Sequence, residues 1–115
     1  KIVVTNTVTE SDIERLRQYY ADDKVLMTQH ASEHCRQRGI KQKDIRSAVM
    51  KGEIIEQYPE DFPFPSCLIF GYAVNNNIIH VVMSDEGSMG RIITAYIPNT
   101  DKFEDDLKTR RERRP

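Results

Sequence analysis

Apolar and polar positions near the start of the chain alternate with helical rotation. Ile13, Leu16 and Tyr20 recur at spacings of three and four, while Glu14, Arg15, Arg17 and Gln18 fill the other faces, which is the signature of an amphipathic helix. Thr9 is the expected N-cap, with Asp12 completing a capping box, and Asp22-Asp23 the expected stop. Val25-Leu26-Met27 reads as a brief strand. A second helical stretch carries His30 to Arg38, with Thr28 placed to cap it and Gly39 to end it. A third starts at Ile40–Asp44, carries Ile45, Ala48 and Val49 as its apolar stripe and closes at Gly52. The few residues between these two helices predict a hairpin pair.

After Gly52 the period shortens from helical to extended. Glu53–Tyr58, Ser66–Ala73, Ile78–Ser84 and Arg91–Ile97 are predicted strands, rich in β-branched and aromatic residues. Pro59–Pro65 holds three prolines in seven residues and must be a loop. Asn75-Asn76-Asn77 is a tight turn, because asparagine tolerates left-handed backbone, and Asp85–Gly90 is a second hairpin loop. Pro98 ends the last strand, and Asn99 or Thr100 is expected to cap a short C-terminal helix through Lys108. Helices followed by a meander give one α+β domain over residues 1–115, with N-terminal helices on one face of an antiparallel sheet and a basic tail after the last helix.

Composition narrows the class. Of the 115 residues, 38% are apolar and 30% charged, as in a soluble folded domain rather than a disordered chain. No apolar run approaches membrane-spanning length. The first residues, Lys1-Ile-Val-Val-Thr-Asn, lack the apolar core of a secretion signal and are read as a trimmed start in a cytoplasmic protein. Cys35 and Cys67 show no metal or redox spacing and read as two reduced thiols. The net charge of −1 argues against coating nucleic acid through bulk charge. The charge is unevenly placed, however: the last eight residues carry five cations and one anion. They form either a solvated end or a basic arm for phosphates or an acidic partner.

His30-Ala-Ser-Glu33-His34 has the spelling of an inverted zinc-protease motif. It is rejected as a metal site, because the third ligand and the larger scaffold of such enzymes are missing from the pattern. His80 is the sharper anomaly, a polar ring inside the apolar run Ile78-Ile-His-Val-Val-Met83 that must meet a partner or a cleft. On the last strand, alternation puts Ile92, Thr94 and Tyr96 on one face. A symmetric register brings Tyr96 and Thr94 opposite or diagonal to His80, and a one-residue slip separates them. Metal-free RNA cleavage needs groups that move protons and cations that hold phosphate charge. His30 and His80 could serve the first role, and Arg36, Arg38, Arg91, Lys108, Arg110 and Arg111 the second.

Several blocks stand in fixed order: His30-Ala31-x-Glu33 with Arg38-Gly39-Ile40, Gly52–Pro59, Pro65-Ser66-Cys67-Leu68, His80-Val81-Val82, Arg91–Pro98 and Asp105–Arg111. Together they resemble a family of small bacterial domains of unknown function over roughly residues 25–111, leaving 1–24 as an N-terminal extension with its helix. That family in turn resembles the RelE and BrnT toxins of the barnase–EndoU–colicin–RelE ribonuclease group. The resemblance implies a RelE/BrnT-like fold, a metal-independent endoribonuclease without a cofactor, RNA as substrate, and an antitoxin partner with a zinc-finger segment. It carries over His30, Glu33, Arg38, His80, Thr94, Tyr96 and Arg110 or Arg111. The chain departs from the family pattern at three places: His34 stands for an arginine, Phe103 for a tryptophan and Leu107 for a phenylalanine. The rival reading is a non-catalytic interaction module that engages a protein through its sheet edge and basic tail.

Overall fold

The computed structural model describes residues 10–112. Helix α1 spans Ile13–Ala21 and is capped by Asp12, whose carboxylate accepts the Glu14 amide at 2.9 Å. Asp12 is therefore the cap rather than the third helical residue; the expected cap, Thr9, lies outside the described residues. Strand β1 (Val25–Met27) follows, then α2 (Gln29–Gln37) and α3 (Gln42–Lys51). Thr28 caps α2 through the Ala31 amide, and Gly39 ends it with a φ of +74°, a left-handed turn that glycine adopts without strain. Asp44 accepts the Lys41 amide at the start of α3 and also the distant Val74 amide, so one carboxylate ties this helix to the β-region.

Strands β2 (Glu53–Tyr58), β3 (Ser66–Tyr72), β4 (Ile78–Asp85) and β5 (Gly90–Tyr96) form an antiparallel meander. Strand β1 joins the far edge parallel to β5, giving the order β1-β5-β4-β3-β2. The sheet is thus mixed, not purely antiparallel as expected. The chain leaves β1 through two helices and returns to its side only after the whole meander, a pairing that no local pattern encodes.

The three helices cover one face. Leu16, Cys35, Ile45, Ala48 and Val49 pack against Cys67, Ile69, Ile79, Val81, Met83, Ile92 and Ala95. The remaining strand side chains form the opposite face. The chain after Pro98 folds over part of that face, but not as the expected helix. It makes a tight hairpin: Phe103 bridges Arg110, the Glu104 amide donates to the Thr109 carbonyl, and Arg111 returns to the Lys102 carbonyl. Asp106 causes the turn by accepting the amides of Lys108 and Thr109 and the Thr109 hydroxyl. These bonds hold its carboxyl down at about 2. Aspartates that bond the backbone just ahead of them favour turns over helix.

Candidate functional site

Register positions the site. His80 pairs with Phe70 on one side and Tyr96 on the other, and the next row holds Glu56, Leu68, Val82 and Thr94. Between Val82/Thr94 and Met83/Ile92 the pairing shifts by one residue. This bulge corrects the simple alternation: Ile92 faces the helical core, whereas Thr94 and Tyr96 lie on the open face with His80.

His80 has no exposed surface. Its Nε2 lies 2.7 Å from the Leu107 carbonyl and its Nδ1 3.3 Å from the Tyr96 hydroxyl. A carbonyl can only accept, so Nε2 carries the proton and Nδ1 accepts from the tyrosine. Phe103 stands edge-on to the imidazole at 4.6 Å between ring centroids. Burial pushes the His80 pKa down, against an opposing effect of the Leu107 bond, so the ring is neutral near pH 7. The same burial raises the Tyr96 pKa and keeps its hydroxyl protonated.

Beside this pair lies an open groove of about 450 Å³, lined by Arg38, Thr94, Tyr96, Ile97, Pro98, Asn99, Lys102, Phe103 and Arg110. Arg38, just past the end of α2, reaches around the sheet and donates to the Thr94 hydroxyl at 3.1 Å and the Ala95 carbonyl at 2.8 Å. Arg110 comes from the C-terminal hairpin, stacks over the Phe103 ring and donates twice to Glu56, both bonds at 3.0 Å. Burial works to raise the Glu56 carboxyl, but the bonds from Arg110 and Tyr58 outweigh it and hold the group below its ordinary range. The groove can therefore offer two guanidinium groups, an ammonium and the Thr94 hydroxyl to an anion, with one guanidinium already shared with a carboxylate and the Tyr96 proton committed to His80.

The structure gathers some of the sequence candidates and separates others. Arg38, Thr94, Tyr96 and Arg110 line one groove, with His80 directly behind it. His30 is exposed on α2, its ring 4.2 Å from that of His34, and it does not line this groove. Glu33 pairs with Arg36 on the same helix at 2.6 Å. Among the described residues, no group of three His, Cys, Asp or Glu side chains is arranged to hold a metal ion. Arg91 is paired with Glu86 in a second groove, Lys108 with Glu53 at 3.1 Å, and Arg111 with Glu104 at 3.2 Å. The described part of the tail is therefore docked on its own sheet rather than projecting as an arm. Residues 113–115 lie outside the described residues.

Glu56, Tyr58, Lys102 and Phe103 were not candidates from sequence. The one available signal was the pair Glu53 and Glu56 flanking Ile54-Ile55 in a predicted strand, since a carboxylate on a half-buried sheet face needs a cation. No helix among the described residues is long and apolar enough to cross a membrane. Residues 27–97, more than half of the chain, match the model of a family described as a domain of unknown function (DUF4258). No curated protein and no solved structure matches the chain.

Proposed function

The chain belongs to the DUF4258 family, a domain of unknown function, and from the groove's chemistry and the resemblance of the sequence blocks we propose that it is a RelE/BrnT-like toxin, a metal-independent endoribonuclease acting in the cytoplasm. The observation that carries the reading is the convergence of Arg38, Lys102 and Arg110 with the hydroxyls of Thr94 and Tyr96 in one open groove. Planar guanidinium groups match phosphate oxygens bidentately and stabilise charge developing on a phosphorane.

In the reaction proposed, Arg38 and Arg110 hold the scissile phosphate. The Tyr96 oxygen takes the proton of the 2′-hydroxyl as its own proton passes to His80 Nδ1. The 2′-oxygen then bonds to phosphorus and the bond to the 5′-oxygen breaks. Water in the open groove protonates the leaving oxygen, and the hydroxide so formed takes back the proton held on His80 through Tyr96, leaving a 2′,3′-cyclic phosphate and a 5′-hydroxyl. His80 does not touch RNA; it is a proton acceptor behind Tyr96, its charged form opposed by burial and by Arg110 and favoured by the Leu107 carbonyl and Glu56. His30 and Glu33 have no part in this scheme. The partner expected of such a toxin is an antitoxin protein that silences it by covering the groove. The rival reading is a non-catalytic interaction module that engages a protein through its sheet edge and basic tail; against its tail half stands the pairing of Lys108, Arg110 and Arg111 with the chain's own carboxylates.

The test is cleavage of mixed RNA, naked and ribosome-bound, by the purified protein with EDTA present. Arg38→Ala is expected to lower the rate by about 10²–10³, and Tyr96→Phe by about 10²–10⁴. Absence of cleavage on every RNA overturns the proposal.

A further inference from the structure

A second groove lies on the same open face, at the other end of β5. It has a volume of about 400 Å³ and is lined by Asp61, Phe62, Phe64, Ser84, Arg91 and Ile93, among others. Ser66, Ser84 and Arg91 form one row across the sheet, so its floor is a continuation of the face that carries Thr94 and Tyr96. Ile93, the residue the bulge sets out of register, is 46% exposed and immediately precedes Thr94 of the first groove. The two grooves therefore abut along one strand: Arg91 and Thr94 pair with Ser84 and Val82, two residues apart, which sets them about 7 Å from each other.

The walls of this groove differ in chemistry from those of the first. Phe62 is 95% exposed and Phe64 38%, from the proline-rich loop between β2 and β3. Phe62, Phe64 and Ile93 together put three partly or wholly exposed apolar side chains around one groove, and clustered exposed apolar surface, unlike a lone ring, marks a binding site. The charged groups at hand do not suit a phosphate. The lining holds one cation, Arg91, which Glu86 neutralises, and a second carboxylate, Asp61, which accepts the Ser66 hydroxyl, whereas the first groove is lined by three cations and no carboxylate. Each carboxylate keeps lone pairs for further N–H donors. Apolar flat surface with carboxylate acceptors fits a ring that stacks and donates N–H groups, which is a nucleobase.

We propose that this second groove is a nucleobase subsite. The base next to the bound phosphate stacks on Phe62 and donates its edge N–H to Asp61 or Glu86. The assignment rests on the reading of the Arg38 groove as a phosphate site and extends it from phosphate holding to base contact.

Two fluorescent six-unit strands test it by anisotropy in low salt: an RNA of mixed sequence and a ribose-phosphate strand lacking bases. Phe62→Ala is expected to weaken the RNA by about 5- to 100-fold and to leave the base-free strand unchanged, and Phe62→Tyr is expected to restore RNA binding. Arg38→Ala is expected to weaken both strands. If Phe62→Ala binds RNA as tightly as the parent while Arg38→Ala weakens both strands, the base subsite is overturned and the phosphate groove stands. If Phe62→Ala weakens both strands equally, the loop contacts backbone rather than base and the subsite is likewise overturned. If Arg38→Ala leaves both strands unaffected, or neither strand binds, the phosphate reading fails and the subsite with it.

Discussion

A histidine without exposed surface must be neutral or well partnered, and His80 is both, which gives it a pH signature at the scale of one residue. In the unfolded chain its ring titrates at its ordinary value of about 6.5, whereas burial lowers that value in the folded protein. Between the two, the unfolded chain holds a proton that the folded chain does not, so stability rises with pH through that window. The contribution is complete above the ordinary value and is lost as pH falls below it toward the folded value. Glu56 behaves differently: its lowered carboxyl gives up stability only further down, below about pH 4.5. The urea midpoint is therefore expected to fall as the pH drops below about 6.5, and His80→Gln to flatten that fall whatever it does to the midpoint itself. An equal slope in parent and variant would refute this account of the buried ring.

At the scale of elements, the close seating of α3 on β3 holds the helical layer to the sheet. Gly71 allows it: a Cβ there would lie 2.6 Å from the Ala48 Cα and carbonyl oxygen, backbone atoms that cannot swing aside. Gly71→Ala is expected to push the helix off the strand at a cost of about 1–3 kcal/mol, read as a drop in melting temperature of roughly 4–8 °C for each kcal/mol. An unchanged melting temperature would mean that the two elements are not rigidly seated. On the opposite face the C-terminal hairpin does the corresponding work. Phe103 is buried against His80, Lys108 sits 4.7 Å over the Phe70 ring, and Arg110 reaches Glu56. The hairpin supplies one wall of the groove and the lid over His80, so the segment that looked in sequence like a loose basic end is part of the site.

For the whole molecule the net charge of −1 gives no long-range attraction for RNA, so the affinity proposed rests on the groove. Its three cations, Arg38, Lys102 and Arg110, can neutralise about two or three phosphates, so log affinity for single-stranded RNA is expected to fall with log salt at a slope of about −1.4 to −2.1. A slope near zero, or one several times steeper, would place the binding elsewhere. The sequence alone determined the elements: the periods of Ile13–Tyr20 and Ile45–Val49, the stops at Gly39 and Gly52, and the meander broken by Asn75–Asn77 and Asp85–Gly90, because periodicity and turn chemistry are local. It also marked His80, since a polar ring in an apolar strand is anomalous wherever it folds, and a symmetric pairing of β4 with β5 set Tyr96 and Thr94 opposite or diagonal to it; the register that puts Tyr96 directly opposite came from the structure. Only the tertiary structure decided the parallel return of β1, the bulge that turns Ile92 away from Thr94, the hairpin in place of a C-terminal helix, and the removal of His30 from the groove. Each of these depends on which distant surfaces meet, and burial, pairing and ion pairing between residues dozens of positions apart leave no period in the chain to be read.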